Sequence, residues 1–217
     1  MSLDPTTLAQ IEALSNDPRP LLVADVDEVV LEFVDPFVRF LDVSGYAFST
    51  ASFRLTGNIV SKDDGTPAEP HRTGALLEGF FAEQGAWQTA VSGAVEVLGR
   101  LSAEVEIVLL TAMPHRHRDE RRALLDRLGV PYPLLTTEMA KGPAIARLRG
   151  DGGRAVAFID DLPPNLLSVR DHVPEAALFH LMSNAAMRAL LPPLPDGIHA
   201  LADWTSAEPA IRAALLG

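Results

Sequence analysis

Four short stretches of this chain carry residues able to do chemistry. Asp25 and Asp27 flank Val26 at the end of an apolar run, in LLVADVDEVV. Thr111 directly follows VEIVLL, and Lys141 opens KGPAIARL. Asp160 and Asp161 close AVAFIDD, with Asn165 shortly after. A carboxylate at a strand end can act as a nucleophile, and a neighbouring one as a general acid or base. A hydroxyl there holds a phosphate oxygen or caps a helix. Adjacent acids after a buried strand repel each other unless a cation lies nearby, and hard oxygen ligands of this kind suit Mg2+. Each piece also has an ordinary reading as a capping residue or a solvated loop charge. Two carboxylates about 4 Å apart repel by roughly 4 kcal/mol at an effective dielectric near 20. Several converging acids therefore require a divalent cation, a lysine, or both.

The elements that must position these residues are legible as patterns. Residues 21–24 (LLVA), 105–110 (VEIVLL), 134–135, 155–159 (AVAFI) and 176–182 (AALFHLM) are nearly unbroken apolar runs. Such runs suit strands buried on both faces, as in a parallel sheet. Helical spacing falls between or after them, at 90–101, 117–128, 138–148 and 206–216. The alternation predicts βαβ units and an α/β fold. Open parallel sheets bind ligands at the C-terminal ends of their strands, where these acids and the lysine fall. The stretch between Asp27 and Val105 is too long for one crossover. Within it, 33–41 and 74–84 read as helices, 53–60 as a hairpin signal around Gly57-Asn58, and 61–70 as a polar loop. This predicts a core formed by residues 1–30 and 89–217, with an inserted cap at 31–88.

The order LLVADVDEVV, VLLTA, KGPAIARL, AFIDDLPPN resembles the haloacid dehalogenase-like (HAD) superfamily, all four of whose motifs are present in sequence. The resemblance covers the core, about two-thirds of the chain, and implies a three-layer Rossmann-like parallel sheet with a small inserted C1-type cap. It implies that Asp25 is a nucleophile accepting a phosphoryl group and Asp27 the general acid/base. Thr111 with Ala112 would bind the phosphoryl group, and Lys141 would hold the charge of nucleophile and phosphate. Asp25, Asp160 and Asp161 would bind Mg2+, directly or through water, with the backbone carbonyl of Asp27. Asn165 would orient that loop. The family often has Gly where this chain has Glu28, whose acid would reach the cap interface or the substrate. Asp27 favours phosphate over carbon–halogen chemistry, because the dehalogenase branch generally lacks that second acid. The resemblance thus implies a Mg2+-dependent phosphohydrolase acting on a small phosphorylated metabolite. The alternatives are a phosphonatase or dehalogenase of the same fold, or a non-catalytic binding protein. A phosphonatase usually wants a cap lysine, and Lys62 is the only lysine in 31–88.

Composition narrows the classes further. The chain has 217 residues, 47% of them hydrophobic, with 18 basic against 29 acidic residues and a net charge of −11. That balance argues against a nucleic-acid surface and against docking on anionic lipid. The absence of cysteine removes thiolate nucleophiles and Cys-based zinc sites. No apolar run approaches the ~18 residues of a membrane span, and MSLDPTTLAQIEAL lacks a basic signal-peptide start. A cytoplasmic protein is expected, with oligomeric state left open. A calcium loop at Asp25 fails because Val29, Val30 and Pro36 replace the required ligands and glycine. The GDGGRA segment precedes a strand instead of following one, so it reads as a turn. His115-Arg116-His117-Arg118 reads as a solvated helix start. His71-Arg72 reads as an exposed loop from which Arg72 would reach an anionic leaving group if the cap closes. Phe80, Phe81 and Trp87 read as cap core.

Overall fold

Strand residues alternate between two apolar layers. Leu22 and Ala24, Ile107 and Leu109, and Ala157 and Ile159 face one cluster of buried side chains. Leu21 and Val23, Val108 and Leu110, and Val156 and Phe158 face another. A strand with both faces covered must be apolar throughout, which is why these runs read as unbroken. The computed structural model describes residues 3–49 and 57–217. In chain order the elements are α1 (Pro5–Glu12), β1 (Leu21–Ala24), α2 (Val34–Val43), β2 (Tyr46–Phe48), β3 (Ile59–Ser61), α3 (Pro70–Ala82), α4 (Gln84–Trp87) and α5 (Ala94–Leu101). There follow β4 (Glu106–Thr111), a 3-10 turn (His115–His117), α6 (Arg118–Arg127), β5 (Leu134–Thr136), α7 (Lys141–Arg149) and β6 (Val156–Asp160). The chain ends with α8 (Pro163–His172), β7 (Ala177–Leu181), α9 (Ala185–Arg188), β8 (Ile198–Leu201) and α10 (Trp204–Leu216).

The main sheet runs β5-β4-β1-β6-β7-β8, and every neighbouring pair is parallel. Helices α5, α6 and α10 cover one face; α1, α7 and α8 cover the other. The result is a three-layer, Rossmann-like α/β arrangement. β1 lies between β4 and β6, with Ala24 beside Leu109 and Ile159. The chain ends of these three strands therefore emerge side by side at the point where strand order reverses.

Residues between β1 and α5 form an apolar cluster of their own: Phe37, Phe40, Leu41, Ile59, Leu76 and Phe80. β2 and β3 pair antiparallel, Tyr46 with Ser61 and Phe48 with Ile59. The hairpin signal at Gly57-Asn58 thus immediately precedes β3, but its partner strand ends at Phe48, so the connection is longer than a two-residue turn. Residues 53–56 of that signal lie outside the described residues. α3 begins at Pro70, so His71 and Arg72 lie in a helical first turn and not in a loop. Proline is tolerated there because its missing N–H would have no intrahelical partner. The same holds for α8, which opens on Pro163 and was not anticipated. Neither was α1, capped by Asp4, nor β8, whose middle residues His199 and Ala200 are exposed.

α7 and α8 meet at Gly142. Its N–H donates to Ser168 Oγ at 3.1 Å. A methyl group there would lie 2.6 Å from His172 Nδ1 and 2.7 Å from Ser168 Oγ. Gly142→Ala is expected to lower stability by about 1–3 kcal/mol through overpacking. Gly99→Ala, in α5 with nothing within 4 Å of the added carbon, is expected to be neutral or to stabilise by up to about 1 kcal/mol. Paired thermal melts check this; equal effects at the two sites would contradict it.

Candidate functional site

The loop after β1 turns tightly over Val26, whose carbonyl accepts the N–H groups of Val30 and Leu31, both at 2.8 Å. The turn holds Glu28 at φ 63°, a left-handed conformation that favours glycine. Four donors compensate. Glu28 Oε1 accepts the N–H groups of Phe33 at 2.9 Å and Val34 at 2.7 Å. Oε2 accepts the Asn184 N–H at 2.9 Å and the Ser183 hydroxyl. Phe33 caps α2 without a side-chain bond of its own, so Glu28 supplies a carboxylate to that helix N-terminus. Of the two expectations for Glu28, these bonds match the one at the cap interface. The residue borders the cavity, but its carboxylate joins α2 to the loop after β7.

Asp25 is held at the sheet edge by its N–H, which donates to Ile159 O at 2.9 Å. Lys141, the first residue of α7, lies 2.6 Å from Asp25 Oδ1 and 2.7 Å from Asp160 Oδ2. Asp160 is otherwise satisfied within the chain. Its Oδ1 accepts the Leu162 N–H at 2.8 Å, and Asn165 Nδ2 donates to both oxygens at 3.0 and 3.1 Å. Among the described residues, nothing donates to the Asp161 carboxylate. The Asp161 carbonyl is fixed instead by His180 Nε2 at 2.8 Å, and burial lowers the His180 pKa.

Asp25, Asp160 and Asp161 each offer a carboxylate oxygen within 4.8 Å of the others, all three residues buried. Burial pushes the Asp25 carboxyl up to about 7; Asp160 and Asp27 add to this, while Lys141 opposes it. Burial also raises Asp161 well above the carboxylate range, helped by Asp160 and Asp25. Burial works against the Lys141 charge, but Asp160 and Asp25 overcome it and raise its pKa. Three carboxylates and one ammonium leave two negative charges when all are ionised. This donor set, hard, oxygen-only and short of positive charge, fits a divalent cation such as Mg2+.

Asp27 points elsewhere. Its Oδ1 pairs with Arg121 Nη1 at 2.9 Å and accepts Gln88 Nε2 at 2.8 Å. Its carboxylate stands outside the group of three. Arg121 is fully buried and also donates to Gln84 and Gln88. The sequence reading passed over Arg121, although it shares the apolar stripe of Leu124, Leu125 and Leu128 at helical spacing. A charge on that stripe was the available signal.

A cavity of about 850 Å³ opens over these groups. Asp25, Asp27, Thr111, Ala112, Lys141, Asp161 and Asn165 all border it. Thr111 ends β4 and is buried, beside β1. Asp160 lies behind, and Arg72 does not border the cavity. Arg72 is exposed and its Nε donates to the Tyr46 hydroxyl at 2.8 Å, so the expected contact with a leaving group is not made. The 3-10 turn is not solvated as expected: His117 is buried and bonds Glu78 of α3 at 2.8 Å. His115 links Thr136 at 2.6 Å to Asp4 at 2.8 Å. Phe80 is core, whereas Phe81 also borders the cavity.

No family model matches the chain, and no curated protein matches its sequence. Solved structures do. A HAD family hydrolase from Deinococcus radiodurans, with bound phosphate and sodium, superposes with a TM-score of 0.60 at 16% identity, over 92% of this chain and 97% of that one. A predicted phosphoglycolate phosphatase from Haemophilus somnus gives 0.59 at 14% identity, over 91% and 100%. A haloacid dehalogenase-like hydrolase from Streptococcus pneumoniae gives 0.58 at 10% identity, over 89% and 99%. These likenesses show the fold, which is HAD-like.

The raised Asp25 pKa sets a stability signature. The folded protein keeps this proton up to about pH 7, whereas the unfolded chain loses it near pH 4. The contribution is therefore full below pH 4 and is lost as pH rises through about 7. In metal-free melts, Asp25→Asn is expected to gain on the wild type between pH 4 and 7, and Mg2+ to restore the wild type selectively above pH 7. A variant that loses ground over that interval would contradict this.

Proposed function

We propose that this chain, with its HAD-like fold, is a Mg2+-dependent phosphohydrolase acting on a small phosphate monoester through an aspartyl-phosphate on Asp25. The observation that carries the reading is the buried Asp25–Lys141–Asp160 bridge with Asp161 beside it, on a cavity that Asp27 and Thr111 also border. Mg2+ would be held by the Asp25 and Asp161 carboxylates and the Asp27 carbonyl, and would offset charge on the transferring phosphoryl oxygens. Asp160, already saturated by Lys141, Asn165 and the Leu162 N–H, acts by fixing Lys141.

In the first step an Asp25 carboxylate oxygen bonds to phosphorus and the bond to the leaving oxygen breaks. Asp27 gives that oxygen a proton, and the alcohol departs. In the second, Asp27 takes a proton from water as its oxygen attacks phosphorus, which releases phosphate and restores Asp25. Arg121 and Gln88 hold one Asp27 oxygen and so fix the orientation of the other. Lys141 and the Thr111 hydroxyl steady the phosphoryl oxygens, since this reaction depends mainly on positioning and charge neutralisation. Residues 31–88 serve as a cap over a core of 1–30 and 89–217, and Glu28 fixes the angle at which that cap begins. Among the described residues no helix is long and apolar enough to cross a membrane, in keeping with a small phosphorylated substrate in solution. The phosphonatase reading is disfavoured because Lys62 pairs with Asp42 at an exposed position and does not border the cavity.

Hydrolysis of an aryl phosphate is expected to require Mg2+ and to fall at least 1,000-fold in Asp25→Asn, on the order of 4 kcal/mol in barrier. Asp27→Asn is expected to lose more on alkyl than on aryl phosphates, whose leaving groups need less protonation. Full activity of Asp25→Asn in a steady-state assay would refute the mechanism.

A further inference from the structure

Most polar residues of the cavity lie at the C-terminal edge of the sheet and the start of α7 and α8. The apolar lining includes Phe33 and Val34 at the start of α2, Leu77 and Phe81 of α3, and Met182 and Met187 after β7. Several basic side chains nearby are already committed. Lys141 spans two carboxylates. Arg121 lies behind Asp27. Arg116 and His117 both bind Glu78, which borders the cavity with its carboxylate taken. Among the described residues that line the cavity, Lys141 is the sole cation.

This distribution decides what kind of ester fits. A second anionic group on the substrate would meet, among the described lining residues, mainly apolar side chains and no cation besides Lys141, so its partial loss of hydration would be poorly compensated. A hydrocarbon group would instead bury its surface against aromatic and methionine side chains, and the two methionines can adapt to its shape. A volume of about 850 Å³ is far more than a phosphate group fills, and lies in the range of pockets for drug-sized ligands.

We propose that the substrate is the phosphate monoester of an apolar, uncharged alcohol, whose alkyl or aryl group lies against α2, α3 and the segment Met182–Met187. This rests on the phosphohydrolase reading for its chemistry, but the recognition is separable from turnover. Gly74 makes it testable without disturbing the core. It borders the cavity from α3, and an added Cβ there meets nothing within 4 Å.

The probes are n-alkyl phosphates from ethyl to octyl, with phosphoglycolate as an ester carrying a second anion. Each is measured as kcat/KM on the wild type with Mg2+, and as affinity for Asp25→Asn by calorimetry. Both quantities are expected to rise about three- to fourfold per methylene until the chamber is full. Phosphoglycolate is expected at least tenfold below butyl phosphate, and Gly74→Arg to narrow that gap at least tenfold. A flat alkyl series in both measurements, or a preference for phosphoglycolate, would overturn the inference. Rising affinity without turnover of any ester would overturn the phosphohydrolase reading and leave the apolar recognition supported.

Discussion

The ammonium of Lys141 joins two carboxylates that belong to adjacent strands, Asp25 after β1 and Asp160 at the end of β6. Much of the molecule serves that bridge. The parallel register aligns Ala24 with Ile159, so the two acids leave the sheet at one level. Gly142 lets the N-terminus of α7 approach α8 closely enough to bring Lys141 to the sheet edge. Asn165 and the Leu162 N–H then complete Asp160 from α8 and the loop before it. A buried charge pair of this type is weak evidence for stability, because desolvation can exceed the Coulomb gain. Its cost is better understood as the maintenance of a site.

The bridge leaves the site electrostatically incomplete. With Asp160 satisfied by its neighbours, burial raises the carboxyl pKa of both Asp25 and Asp161 in the absence of a cation. Asp27 is separated from this group by the Arg121–Gln88 arrangement, so two acids two residues apart have different surroundings. One faces Lys141 and the other a guanidinium. Such a division is what a nucleophile and a proton-transfer group require of their environments.

The core of this arrangement was legible in the sequence for a simple reason. Strands covered on both faces are apolar throughout, so LLVA, VEIVLL and AVAFI announced themselves, and a polar residue directly after each marked the sheet edge. β8 escaped because its middle residues are exposed, and α8 because two prolines open it. The site residues Asp25, Thr111, Lys141 and Asp161 border one cavity, as their places at strand and helix ends implied. Side chains whose roles depend on contacts made far along the chain were not legible. Glu28 reaches Asn184, and Arg121 reaches Asp27 and Gln84. Arg72 erred in the other direction: its charge suggested a ligand, and tertiary packing gave it Tyr46.

The central claim is that a divalent cation replaces the proton that burial places on Asp25. Calorimetric titration of the metal-free protein with Mg2+, in buffers of different ionisation enthalpy, measures this directly. The account predicts net proton release at pH 6 that diminishes by pH 8, with affinity rising across the same interval and most of the release lost in Asp25→Asn. Binding with no proton release and no pH dependence, or no binding at all, would contradict it.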